Sequence, residues 1–396
     1  MLQRIRYLEQ IRPFYDSECV KIITGVRHAG KSVLMGQIRD ELAGKGKKTL
    51  YLDFADPAIA SEYRDAQSVF GYIGSRWKRR GKQPVCYVFL DGVQNLADWS
   101  IVCRILLLSK VSLFVAGSGA PLLTTEAMRN LSGKYVEFRI RPFVYKELCA
   151  YAAEMGKEVP VKDYLLYGGL SRRLDSVDRT EIIRYLGGLN AEALRDAVVG
   201  CNIRRETIFR RVADFVLTAG QSLTANAIHD WLKEEELSCS VNTVMKYLVN
   251  LEEACIVRRL TCYSARARRK LEFPVKFYAE DVAFRTVRQP QNVDLARNLE
   301  NVVYNELVFM GYTLSSYVYQ GESIDFLAEK DVREYLVQVA ESVAKKRERE
   351  KEFRLLNKLD NSRKKLIITS DEEDYSTSAV EHIRLKDFLM MKDLRG

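Results

Sequence analysis

The sequence predicts an α/β fold: a parallel sheet around a phosphate-binding loop, followed by a winged helix-turn-helix and a second α/β domain. Three observations predict it. A glycine-rich loop stands between a β-type apolar run and a helix-patterned segment, within residues 20–42. Strand-like and helix-like stretches then alternate to about residue 140, the order of a sheet with helices on its faces. Further on, three helical patterns and a basic hairpin pattern precede a second alternation of strands and helices.

Length and composition agree with this layout. The chain has 396 residues, with 62 Lys+Arg against 53 Asp+Glu and a formal net charge of +9. At roughly 150 residues per domain, that length allows about two or three domains. Apolar residues at 47% and charged residues at 29% exclude global disorder. No apolar run approaches the roughly 18–20 residues of a membrane helix, so no membrane partner is expected. The first residues, MLQRIRYLEQIRPFYDSE, carry charges throughout and lack the apolar core of a signal peptide. The eight cysteines are scattered without a CxxC and read as small buried hydrophobes in a reduced, cytoplasmic protein. Three distant histidines speak against a His-rich zinc site.

The phosphate loop comes first in the chain. Val20–Thr24 is an apolar strand pattern. Gly25, Val26, Arg27, His28, Ala29, Gly30, Lys31 and Ser32 then match G-x-x-x-x-G-K-[ST], and Val33–Leu42 has helical spacing. An accidental glycine turn is the alternative, but strand, loop and helix occur in the order that gives the pattern meaning. The two glycines let the backbone wrap phosphates, and the amides from Gly25 to Val33 supply positive potential at a helix start. Lys31 is expected to reach the β- and γ-phosphates of a nucleotide, and the Ser32 hydroxyl to coordinate Mg²⁺. Such a loop calls for a second buried strand ending in an acid that supports the metal. Val85–Asp91 (VCYVFLD) is that strand, with Asp91 as the acid. Lys48–Phe54, Val111–Ala116 and Val136–Ile140 complete five candidate strands, with an amphipathic stretch at Trp99–Leu108.

Taken together, TGVRHAGKSVLM, LYLDFADP, VFLDGVQ, VAGSGAPLL, LSGKYVEFRIRPFVYKEL, YGGL and later ENVVYNELVFMGY, SIDFLAEK and YLVQVAES resemble the bacterial and archaeal AAA-type ATP-binding proteins whose P-loop domain precedes a DUF4143 region. The resemblance spans nearly the whole chain and implies ATP binding. Departures from the family pattern fall on the hydrolytic machinery. Gly92 stands where the family has the Glu that serves as base for the attacking water. General-base catalysis contributes about 10²–10⁴-fold, so its loss makes hydrolysis slow while sparing binding. Gly119 stands where the family has Asn, although Ser118 is retained as a contact for the γ-phosphate or water. The acid of the family's INFED-like segment falls on Ala55, leaving Asp53 or Asp56 as substitute bases and Gln94 to orient water. Lys134, Arg139 and Arg141 are arginine-finger candidates, which would act between copies of the chain in a homo-oligomer; ordinary surface charge is the alternative.

After a helical connector with a break at Gly168-Gly169, Arg204–Thr218, Leu223–Lys233 and Ser240–Glu253 read as three helices. Cys255–Cys262 and Leu271–Tyr278 then form a hairpin, giving a winged helix-turn-helix. Its third helix is expected to expose Asn242, Thr243, Lys246 and Asn250. Between Ile256 and Lys276 stand seven basic residues and one acid. Arg266, Arg268, Arg269 and Lys270 sit at the hairpin tip, where double-stranded DNA would bind with strong salt dependence. A winged helix used only for packing or self-association is the alternative.

In the last hundred residues, helix Asn298–Gly311, an edge strand from Val318, a hairpin at Ser323–Ala328 and Tyr335–Ala340, helix Ala344–Leu359 and a final buried strand Lys365–Thr369 resemble a restriction-endonuclease-like core. That resemblance assigns Glu300, Asp325 and Gln338 to a Mg²⁺-dependent site. The lysine it also requires falls on Ala340, so the expectation is a degenerate, noncleaving domain.

The expected domains are therefore a P-loop ATPase (1–150), a helical connector (151–203), a winged helix-turn-helix (204–290) and a nuclease-like domain (291–396). The expected function is ATP binding with slow or conditional hydrolysis, coupled to a C-terminal half that contacts DNA. An ATP-gated regulatory or protein-interaction module, and a Mg²⁺-dependent nuclease, stand as alternatives.

Overall fold

A computed structural model of the chain describes residues 2–76, 86–117, 122, 125–219, 223–360 and 362–394. It divides into two compact units. The first comprises 1–141, 192–204 and 253–255; the second comprises 142–191, 205–252 and 256–396.

The first unit is built on five parallel strands: β1 (Val20–Thr24), β2 (Lys48–Asp53), β3 (Cys86–Asp91), β4 (Ser112–Ala116) and β5 (Tyr135–Arg139), in the order β2-β3-β4-β1-β5. Every residue of β1, β3 and β4 is buried, because helices cover both faces and leave no place for alternating polar residues. Register places Asp53 beside Asp91, Leu90 beside Val115 and Ile23 beside Ala116. The carboxyl ends of β1 to β4 therefore form one rim. β4 lies between the phosphate-loop strand and the strand that ends in Asp91.

In the second unit, helices Glu206–Thr218, Ala225–Glu234 and Val241–Glu253 precede β6 (Val257–Ser264) and β7 (Arg269–Ala279), the expected three helices and hairpin. Phe209 packs edge-on against Tyr247 at 5.4 Å to join the first and third helices. The sheet continues through β8 (Thr313–Tyr319), β9 (Glu322–Lys330), β10 (Arg333–Val339), β11 (Lys364–Thr369) and β12 (Glu381–Arg384), in the order β12-β11-β10-β9-β8-β6-β7. Both faces are covered. Phe326, Val337 and Ile368 pack with helix Leu295–Phe309 on one side, while Leu327, Leu336 and Ile367 pack with helix Lys346–Lys358 on the other. The apolar runs of these strands thus serve two cores at period two.

Three expectations change here. The hairpin and the C-terminal strands share one sheet, so no boundary falls at residue 290: β6 pairs in parallel with β8 through Cys262–Ser316 to Ser264–Val318. For the same reason β8 is interior, not an edge strand. Lys365–Thr369 is not the final strand either, since β12 pairs beside it.

Candidate functional site

Why the phosphate loop turns as it does follows from its glycines. Gly25 has φ 139° and its missing Cβ would stand 2.1 Å from the Ile140 carbonyl oxygen, so only glycine fits. Gly30, with φ 94°, precedes helix Lys31–Gly44, whose first turn carries no side-chain cap. Its leading amides therefore remain to be satisfied from outside the helix, as an anion does. The Lys31 ammonium is buried and donates to the carbonyls of Gly25 (2.9 Å) and Val26 (2.8 Å). Burial lowers its pKa to about 8, with Asp91 among the charges that oppose the shift. Ser32 and Val33 at the helix start are exposed, as is His28, while Val26 and Ala29 anchor the loop in the core. This arrangement suits a polyphosphate with Mg²⁺: free amides, a lysine folded over the loop, and an exposed hydroxyl.

Asp91 is 4% exposed and accepts from the Tyr51 hydroxyl at 2.7 Å. Beyond it, Gly92 adopts φ 68°, and a Cβ there would meet the Ala55 amide nitrogen at 2.8 Å. The position at which the family resemblance puts its base is thus closed to any side chain. Gln94 lies in the following turn, with its Oε1 2.8 Å from where a Cβ of Gly117 would stand. That places it against the end of β4, next to the phosphate-loop strand. Asp56 is not brought to this place. Its carboxylate caps helix Pro57–Glu62 by accepting from Ala58 N at 2.8 Å, and it follows β2, the strand farthest from β1 on that side. Asp53 is likewise engaged locally, by Ala55 N at 2.9 Å. Ser118 and Gly119 lie outside the described residues. Of the finger candidates, Arg141 is buried, Arg139 half-buried and Lys134 exposed; burial removes Arg141 from any role toward another copy.

Residues 17–149 match the family model of an AAA domain. Two relatives span most of the chain. An uncharacterised protein of Haemophilus influenzae is 29% identical over 404 residues, 98% of this chain and 99% of that protein. An uncharacterised protein of Methanocaldococcus jannaschii is 23% identical over 399 residues, 92% and 86%. Among solved structures, a Walker-type ATPase of Pyrococcus abyssi is similar at 14% identity over 73% of this chain and 96% of that chain, with a TM-score of 0.49. At these values no activity transfers from any of the three.

Two side chains that motif spacing passes over support the loop of the segment that matches an AAA domain. Arg4, 1% exposed, donates to Ala29 O and Arg141 O, both at 3.1 Å, and so ties the amino-terminal segment to the loop. Asp196 takes the Arg27 guanidinium in a two-pronged pair at 2.8 and 3.1 Å. Arg27 therefore starts out committed to a carboxylate rather than to phosphate. Arg4 stands 25 residues before Ala29 and Asp196 169 residues after Arg27, both beyond the reach of a local motif.

In the second unit, the basic hairpin is more neutral than its sequence. Arg258 pairs with Glu280, Arg259 with Glu252, Lys270 with Glu329 and Lys276 with Glu300 and Asp325. What remains at the tip is Arg266, Arg268 and Arg269, all exposed. The third helix also differs from expectation. Asn242 and Lys246 are exposed and Thr243 is half-buried, sharing a hydrogen bond with Ser240 at 3.0 Å. Asn250 is buried, and Met245 and Val249 are each 42% exposed. Helical spacing explains this, because Tyr247 and Leu251 turn the helix so that Asn250 follows them into the core.

Glu300, Asp325 and Gln338 do converge. The Lys276 ammonium on β7 lies 3.0 Å from Glu300 Oε1 and 3.0 Å from Asp325 Oδ1. The Tyr278 hydroxyl donates to Glu300 Oε1 at 2.6 Å, and Val339 N to Asp325 Oδ2 at 3.0 Å. Gln338 Oε1 faces the Asp325 amide at 3.4 Å, and its Nε2 donates to Glu352 at 2.9 Å. Burial opposes charge on Lys276, but the two carboxylates outweigh it and hold its pKa above the usual lysine value.

Proposed function

We propose that this chain binds ATP with Mg²⁺ through Gly25–Val33 and Asp91, hydrolyses it slowly, and uses its nucleotide state to bias what the second unit binds. The observation that supports this reading most is Lys31: a buried ammonium laid over the loop carbonyls at the head of an uncapped helix, in a segment that matches an AAA domain. Slow turnover follows from Gly92, which carries no base and has no room for one. Among the described residues, Gln94 is a side chain at that rim with the chemistry to orient water.

Equilibrium titration of ATP with Mg²⁺ against wild type and Lys31→Ala tests the reading. Loss of a charged hydrogen-bond donor, worth about 1.5–3 kcal/mol, predicts roughly 10–150-fold weaker binding in the variant. Equal affinities would sink the proposal. The same titration in wild type should weaken as pH rises above about 8. Lys31 is then increasingly neutral before binding and must take up a proton when phosphate arrives.

For the second unit, we favour a winged helix whose contact with duplex DNA is confined to Arg266, Arg268 and Arg269. Replacing all three by alanine should lower DNA affinity and flatten its salt dependence by about three phosphate contacts. A second reading, an ATP-gated protein-interaction module, is favoured by the exposed Met245 and Val249, which line a shallow apolar groove with Val275 and Phe277. DNA affinity that is absent, or indifferent to salt and to the three arginines, selects that reading.

A further inference from the structure

We infer that the Lys276 ammonium takes the place of a divalent cation between Glu300 and Asp325, so that the second unit keeps a nuclease-like set of acids but needs no metal and cuts no DNA. The restriction-endonuclease-like resemblance implies Mg²⁺ here, and the residues present do not fit it. Each carboxylate oxygen already has a donor. Glu300 Oε1 faces Lys276 and Tyr278, and its Oε2 lies 3.4 Å from Arg297. Asp325 Oδ1 faces Lys276, and its Oδ2 takes the Val339 amide. Two negative charges are thus met by two positive ones, and a dication added to this balance would leave buried excess charge. Mg²⁺ also demands near-octahedral oxygen ligands at roughly 2.0–2.1 Å. The third expected ligand is an amide, Gln338, engaged with Glu352. Among the described residues no group of three or more His, Cys, Asp or Glu is arranged to hold a metal.

Lys276 comes from β7, three strands away from β9 in the sheet order. It is therefore not the lysine missing at Ala340, two residues beyond Gln338, and it lies between the acids rather than beside them. The pairing of Lys276 with Glu300 and Asp325 does not depend on nucleotide binding and stands even if Lys31→Ala proves neutral.

The test uses the full chain without nucleotide and Mn²⁺ as probe. Wild type should show no Mn²⁺ binding by equilibrium dialysis that Asp325→Asn removes, and no Mn²⁺-dependent nicking of supercoiled plasmid. Lys276→Ala should melt at a lower temperature than wild type and recover part of the loss when Mn²⁺ is added. The double variant K276A/D325N should not recover. Three results would overturn the inference: Asp325-dependent Mn²⁺ binding in wild type, plasmid nicking abolished by Asp325→Asn, or a folded Lys276→Ala indifferent to Mn²⁺. If Lys276→Ala does not fold, wild-type dialysis and the nicking assay decide the matter.

Discussion

Replacing Gly92 by glutamate is expected to lower thermal stability and to leave ATP turnover no faster than wild type. On the sequence alone the opposite would be anticipated, since the substitution restores the carboxylate that the family resemblance places after Asp91. The structure reverses the expectation for two reasons. Backbone at φ 68° costs a non-glycine residue about 1–3 kcal/mol. The new Cβ would also stand 2.8 Å from the Ala55 amide nitrogen, with Phe54 C at 3.3 Å. Those atoms are not free to retreat: Phe54 N donates to Asp91 O at 2.8 Å, Ala55 N to Asp53 Oδ1 at 2.9 Å, and Asn95 Nδ2 to Phe54 O at 3.0 Å. A destabilisation of this size lowers the melting temperature by about 2–4 °C per kcal/mol in a unit of this length. Melting curves together with steady-state ATP turnover check the prediction. Gly92→Ala serves as the control, because it carries the same backbone penalty without the carboxylate. A faster Gly92→Glu enzyme with an unchanged melting temperature would show that the turn opens readily and that only the base was missing.

Replacing Asn301 by leucine should cost the second unit about 2–4 kcal/mol, although the two side chains branch alike. Asn301 is 1% exposed and reads the backbone of Ala279 twice, accepting from its N–H at 2.8 Å and donating to its C=O at 2.9 Å. Leucine keeps the branched skeleton, with bulkier methyl groups in place of O and NH2, and leaves the buried N–H without its partner, a desolvation penalty of about 1–3 kcal/mol before the second bond is counted. The carbonyl has a reserve donor in Asn305 Nδ2 at 3.3 Å, so Asn305→Ala should cost less. Urea denaturation followed by tryptophan fluorescence orders the two variants; an Asn301→Leu midpoint at or above that of Asn305→Ala contradicts the account. The same helix carries Asn298, which donates to Leu165 O and accepts from Arg285. In the fold, Asn298 and Asn301 are the side that grips neighbouring backbone.

The phosphate loop was legible because everything it needs lies within one short segment. Strand, glycines, lysine and helix are contiguous, and their geometry follows from local backbone preference. Asp91 was legible for a related reason, as a strand buried on both faces announces itself by an unbroken apolar run and ends at the first charge. The helices and hairpin of the second unit were legible by periodicity. Their faces were less so: Asn250 went inward and Met245 outward, because a helix of mixed pattern is oriented by what it packs against.

Charge showed the limit most plainly. The sequence concentrates its basic excess in residues 256–276, and that placement is correct as composition. Its meaning depended on acids far away along the chain. Glu329, Glu300 and Asp325 stand on other elements and neutralise side chains that composition counts as free. Three tip arginines are what remains for an acidic partner.

By its own order the sequence placed a phosphate-loop pattern near the start of the chain, a second set of strands after it, and a glycine after Asp91, where the family resemblance puts its base. Only the tertiary structure decided that a Cβ at Gly92 would crowd the Ala55 backbone, that the hairpin and the C-terminal strands form a single sheet, and that a lysine lies between Glu300 and Asp325. The division has one physical cause. Backbone conformation and periodicity are set by neighbours in sequence, whereas steric room and charge compensation are set by neighbours in space.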